Sequence, residues 1–270
     1  MRAAERAFVV EGVNVLAAAL EASAAIESLY VSPEGRSHAA VSDVVSKAHA
    51  RGIRVHDLGA GVMERVADTV TPQGVCAVVG MLDVPLERAL LTPAPPASSG
   101  TEAPSGIPAQ PAPAAGRTIL VCVDIRDPGN LGAVMRSADA SGAEAVVCCE
   151  GTVDPYNPKV VRASAGSLFH VPIVVSPDSL AALAALASAG FLCLGASAHG
   201  GTDYVEVDFR SRVALVLGNE AAGLPEDVTS ALDGTVAVPM YGRAESLNVA
   251  MAATVLCFEA ARQRRRSPLQ

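Results

Sequence analysis

From residue 117 onward, short apolar runs alternate with stretches of helical spacing. The runs at 118–124, 145–149, 171–175, 191–195, 213–217 and 236–238 carry almost no charge. Strands buried on both faces read this way, because neither side meets water. Helices are predicted at 131–140, 158–165, 180–189 and 247–262, with Asn130 as the N-cap of the first. The alternation predicts an α/β domain whose parallel sheet is covered by helices on both faces. The first 90 residues repeat the theme on a smaller scale. Strands are predicted at 8–10, 29–31, 53–55 and 74–82, with helices at 12–22 and 38–50. In the second of these helices Val41, Val44, Val45 and Ala48 share one face.

Composition divides the chain. Residues 91–116 hold seven prolines among Ala, Ser, Gly and Thr, with Glu102 as the sole acid. Such a segment buries too little apolar surface to offset its ordering entropy, so it reads as a linker. The expected domains are therefore 1–90 and 117–270. Residues 179–198 carry no charge over a length that would span a bilayer. Asp178 at the front and Gly190 in the middle favour a buried helix followed by a strand. The N-terminus leads into no apolar signal core, which points to the cytoplasm. The six cysteines form no C-x-x-C pair and read as reduced, buried small residues. Net charge is −8, which argues against a broad nucleic-acid surface but permits a local basic patch.

Several chemistries find no support. The chain has no dinucleotide or phosphate-loop glycine pattern and no nucleophile elbow. Its five histidines show no metal-ligand spacing, so no metal is expected. Three other segments stand out: Asn130-Leu131-Gly132-Ala133-Val134-Met135-Arg136, then Leu217-Gly218-Asn219-Glu220, then Val238-Pro239-Met240 with Ser246-Leu247-Asn248-Val249. Each lies next to an apolar run and joins Gly, Pro, Asn or Ser to an ionisable group. Loops at strand ends of one α/β domain converge on a single crevice, so an enzyme site is the leading reading.

In order and spacing, these segments resemble the three motifs of the SpoU (TrmH-type) RNA 2′-O-ribose methyltransferases of the SPOUT superfamily. The likeness covers about residues 117–266. Segments Phe8-Val9-Val10-Glu11-Gly12 and Thr71-Pro72-Gln73-Gly74-Val75 are similar to that family's substrate-binding domain, which is L30e-like. The resemblance implies a C-terminal deep trefoil knot, a homodimer formed through the C-terminal domain, and S-adenosylmethionine as cofactor. It implies that Gly218, Val238, Met240 and Leu247 hold the cofactor, largely through main-chain groups. It implies catalytic roles for Asn130, Arg136, Glu220, Ser246 and Asn248. Guanidinium stays protonated, so Arg136 suits a phosphate clamp better than a base. Glu220 is expected to orient Arg136 or to face the ribose hydroxyl, and Ser246 to cap the last helix. Asn248 is expected inside that helix. Arg262, Arg264, Arg265 and Arg266 read as a charged terminus or as contacts to RNA phosphates.

The expected activity is methylation of a ribose 2′-hydroxyl in RNA. Ribosomal RNA is the expected substrate, because the L30e-like lobe is typical of relatives acting on it; transfer RNA is the alternative. A non-catalytic RNA-binding or ribosome-assembly module is a second reading. A small-molecule α/β enzyme, suggested by the negative charge, is a third.

Overall fold

The computed structural model describes residues 5–66, 72–91 and 116–265. Residues 92–115, Thr71 and Arg266 lie outside them, and with them most of the expected linker. The chain forms two compact units, Met1–Asp83 with Asp154–His170, and Val84–Val153 with Val171–Gln270.

The first unit holds a four-stranded sheet in the order β1-β4-β2-β3. Its strands are β1 (Ala7–Glu11), β2 (Ile26–Val31), β3 (Arg54–Asp57) and β4 (Val75–Gly80). Helices α1 (Val13–Glu21) and α2 (Ala39–Ala50) accompany them, and Val41, Val44, Val45 and Ala48 are buried as their spacing predicts. The two singled-out segments of this unit meet at one point. Gly12 takes a φ of 99°, and the next N–H, Val13 N, donates to Gln73 Oε1 at 2.9 Å.

The second unit holds seven strands, all parallel, in the order β7-β6-β5-β10-β8-β11-β9. They are β5 (Thr118–Cys122), β6 (Ala145–Cys148), β7 (Ile173–Val175), β8 (Leu192–Ser197), β9 (Thr202–Asp203), β10 (Val213–Leu217) and β11 (Gly234–Ala237). The longer helices are α3 (Pro128–Ser141), α4 (Ser179–Ser188) and α5 (Val249–Arg265). One core joins Ile119, Val121, Val147 and Val216 of the sheet to Leu183 and Leu186 of α4. Helices α3 and α5 pack along each other, and Ser137 and Thr254 share a 2.7 Å hydroxyl hydrogen bond between them. The uncharged stretch 179–198 is thus a helix and then a strand. Among the described residues no helix is long and apolar enough to cross a membrane.

The expected boundaries shift in two places. Residues 84–90 belong to the second unit, where Ala89 joins the core. Residues 154–170 belong to the first, where the Tyr156 and Phe169 rings lie 4.8 and 6.3 Å from Phe8. Ring contacts to the buried Phe8 outweigh adjacency in the chain. Arg117 donates to the carbonyls of Ala89, at 2.9 Å, and Leu90. Both ends of the Pro-rich stretch therefore lie in the same unit. The chain passes between units at 83–84, 153–154 and 170–171 instead.

Candidate active site

The C-terminal ends of β5, β10, β8 and β11 carry the loops that build the site. After β5 the chain turns at Asp124, whose φ is 55°. The Asp124 carbonyl accepts from Asn219 Nδ2 at 3.0 Å, which ties the turn after β5 to the second motif. Asn219 Oδ1 in turn accepts from Ala221 N and Ala222 N at 2.9 and 3.0 Å, shaping the turn after β10. Gly218 is required here by close approach. A Cβ on it would lie 2.6 Å from the backbone of Gly223.

A cavity of about 530 Å³ opens among these loops. Gly218, Glu220, Val238, Met240, Ser246 and Leu247 line it, so all four expected cofactor-binding residues do. Its volume lies in the range typical of small-molecule pockets. Small residues such as Ala196, Ala222 and Ala252 leave room, and Leu224 and Leu256 add an apolar wall. This lining fits an adenosyl group, for which irregular backbone supplies fixed donors and acceptors.

Three of the expected catalytic residues form a chain of hydrogen bonds. Ala250 N donates to Asn248 Oδ1 at 2.9 Å. Asn248 Nδ2 donates to Asn130 Oδ1 at 2.8 Å. Asn130 Nδ2 donates to Glu220 Oε1. A backbone N–H can only donate, so it fixes the direction of both amides and aims a donor at the carboxylate.

Four expectations need correction. The N-cap of α3 is Asp127, whose Oδ1 accepts from Asn130 N at 2.9 Å, with Pro128 at the first helical position. That frees the Asn130 side chain for the network. Asn248 precedes α5 and caps it, instead of standing inside it, and Ser246 lines the cavity. Glu220 engages Asn130 and not Arg136. Arg136 is exposed on α3, six residues after Asn130 and so about 9 Å further along the axis on another face. Arg136 is not among the residues lining the cavity.

The tail arginines also separate. Arg264 is buried and bonds Thr118 Oγ1, while Arg262 pairs with Glu259 at 2.6 Å. The sequence reading missed Ala196 and Ser197, at the end of β8, and Ala198 and His199, just beyond it, which line the cavity. A run of small residues at the end of a parallel strand was the available signal. No cluster able to hold a metal ion occurs among the described residues.

Residues 117–258 match the SpoU rRNA Methylase family, and residues 9–85 match the RNA 2′-O ribose methyltransferase substrate-binding family. The chain belongs to the SpoU rRNA methylase family. It is 32% identical over 251 residues to the 23S rRNA (guanosine(2553)-2′-O)-methyltransferase RlmP of Bacillus subtilis, covering 93% of this chain and 87% of that one. It is 42% identical over 142 residues to the 23S rRNA (uridine(2479)-2′-O)-methyltransferase of Streptomyces viridochromogenes, about half of each chain. Among solved structures it superposes on the SpoU methyltransferase AviRb from Streptomyces viridochromogenes in complex with AdoMet. That match has a TM-score of 0.77 at 29% identity and covers 97% of this chain and 92% of that one. The AdoMet-bound rRNA methyltransferase from Sinorhizobium meliloti gives a TM-score of 0.76 at 30% identity, with coverage of 97% and 89%.

Proposed function

We propose that this SpoU protein methylates a ribose 2′-hydroxyl of ribosomal RNA, using S-adenosylmethionine. The observation that carries the reading is one cavity lined by the second and third motifs, with the first motif bonded to its edge through Asn130. Gly218, Val238, Met240 and Leu247 would hold the cofactor, which supplies an electrophilic methyl group when bound. Glu220 receives Asn130 on one oxygen, and its remaining lone pairs are free to take a hydroxyl proton. Asn248 and Asn130 hold that carboxylate in place, and Ser246 lies within the same lining. Arg136, exposed and cationic, serves as a phosphate clamp.

The remaining architecture belongs to the same reading. A homodimer through the C-terminal domain is supported by Met251 and Phe258 of α5, which are 60% and 45% exposed and two helical turns apart. A trefoil knot is supported by the path of α5. It packs on α3 and β10 although the chain arrives from β11, on the far side of β8. The four-stranded sheet of the first unit, flanked by α1 and α2, supports an L30e-like substrate domain. Six buried cysteines suit a reducing cytoplasm.

The test is incubation with labelled S-adenosylmethionine and ribosomal RNA, followed by alkaline hydrolysis. A 2′-O-methyl group leaves one phosphodiester bond alkali-resistant. Label incorporated with every bond still alkali-sensitive would overturn ribose methylation.

A further inference from the structure

Tyr241 is 94% exposed, in a chain of four tyrosines, five phenylalanines and no tryptophan. Four of the other rings, Phe8, Tyr156, Phe191 and Phe209, lie in the core. Tyr241 sits between two stretches that line the cavity, Val238 and Met240 on one side and Glu245, Ser246 and Leu247 on the other. It therefore stands on the cavity's rim. Gly242, Arg243 and Ala244 beside it are exposed too. Among the described residues no ring contact involves it. A large ring kept in water at the lip of a binding cavity contributes nothing to packing within its own chain.

The chemistry of the substrate supplies an occupant. A ribose whose 2′-oxygen reaches a donor in the cavity carries its base outward, toward the rim. A base inside a helix is already stacked on both faces, whereas an unpaired base offers a free face to an aromatic side chain. We propose that Tyr241 is the stacking platform for the base of the nucleotide being methylated, and that this nucleotide is taken unpaired. Arg243, two residues on, places a guanidinium where the adjoining phosphate would pass. A second copy of this chain is the weaker occupant. The apolar stripe that suits it lies on α5, while the Tyr241 loop carries Arg243 and Glu245. The inference rests on the ribose-methylation reading.

Because the chain has no tryptophan, Tyr241→Trp gives a single fluorophore at the rim. It is titrated with a short single-stranded oligoadenylate, and then with the same strand annealed to its complement. Saturable quenching by the single strand and much weaker quenching by the duplex are expected; equal responses overturn the claim of an unpaired base. With ribosomal RNA as substrate, Tyr241→Ala should raise KM roughly fivefold to a hundredfold, as stacking of one base is worth about 1–3 kcal/mol. Its kcat should change little, and Tyr241→Phe should restore KM. Calorimetric binding of S-adenosylmethionine by Tyr241→Ala should match the unaltered protein, which certifies the fold. An unchanged KM in Tyr241→Ala sinks the platform alone, provided the unaltered protein makes alkali-resistant product. Absence of that product from the unaltered protein ends the methylation reading itself. Conversion of a dimer to a monomer by Tyr241→Ala would make the ring a subunit contact and overturn the proposal.

Discussion

A single backbone amide, Ala250 N, sets the polarity of the whole hydrogen-bond network. Through Asn248 and Asn130 it determines that a donor, and not a carbonyl, faces Glu220. Asn248→Asp keeps the helix cap but replaces the donor toward Asn130 with an acceptor. Asn130 must then flip and present its oxygen to the carboxylate, or lose its partner. The expected result is a loss of kcat/KM worth about 1–3 kcal/mol, with the thermal midpoint nearly unchanged. Normal turnover in this variant would remove the network from the mechanism. Gly218 makes a second, separable case. Its added Cβ would meet the Gly223 backbone at 2.6 Å, so Gly218→Ala must push the turn into the cavity or away from it. Overpacking of this kind costs about 1–3 kcal/mol, and calorimetry should find S-adenosylmethionine binding at least about tenfold weaker. The identities of Asn130, Glu220 and Asn248 were legible in the sequence through motif spacing. Their mutual bonds were not, because Asn130 lies 90 positions from Glu220 and 118 from Asn248, and only the fold brings them together.

At the scale of elements, helix starts were the least legible feature. Asn130 looked like a cap because it directly precedes Leu131, the first residue of the apolar pattern. The pair Asp127-Pro128 carried the true signal, since proline suits the first helical turn and aspartate the cap before it. The two residues therefore divide stability from chemistry. Asp127→Ala should cost about 1 kcal/mol, read as a lower thermal midpoint, with turnover near normal. Asn130→Ala should keep the midpoint and lose turnover. A reversed pattern in melting curves and initial rates would reassign the cap. Strands were easier to read. β5, β6 and β10 are buried along their whole length and announce themselves as apolar runs, while β11 buries one residue in four and the two-residue β9 carries no such pattern.

For the whole molecule, periodicity fails where contact partners are distant. Residues 154–170 read locally as part of the second lobe, yet the Tyr156 and Phe169 rings pack beside the buried Phe8. The reading of the cysteines as buried small residues held, and it has a consequence for pH dependence. Burial pushes Cys76 and Cys193 up to about 11, and Cys149 and Cys257 up to about 12. Cys122 is raised in the same direction, by burial first and then by neighbouring thiols. In the unfolded chain these thiols return to about 8.5. Between that value and 11 to 12 the folded state holds more protons than the unfolded one, so stability must fall as pH rises. Below about pH 8 both states are protonated and the thiols contribute no slope. Denaturant midpoints should therefore show no thiol-dependent decline through neutral pH and drop above about pH 9. Substituting Cys149 and Cys257 by alanine should flatten that drop, at some loss of packing. At neutral pH a thiol reagent such as DTNB should label the native protein barely and all six cysteines once it is denatured. Rapid native labelling, or a midpoint constant to pH 11, would mean that these side chains meet water in the folded state.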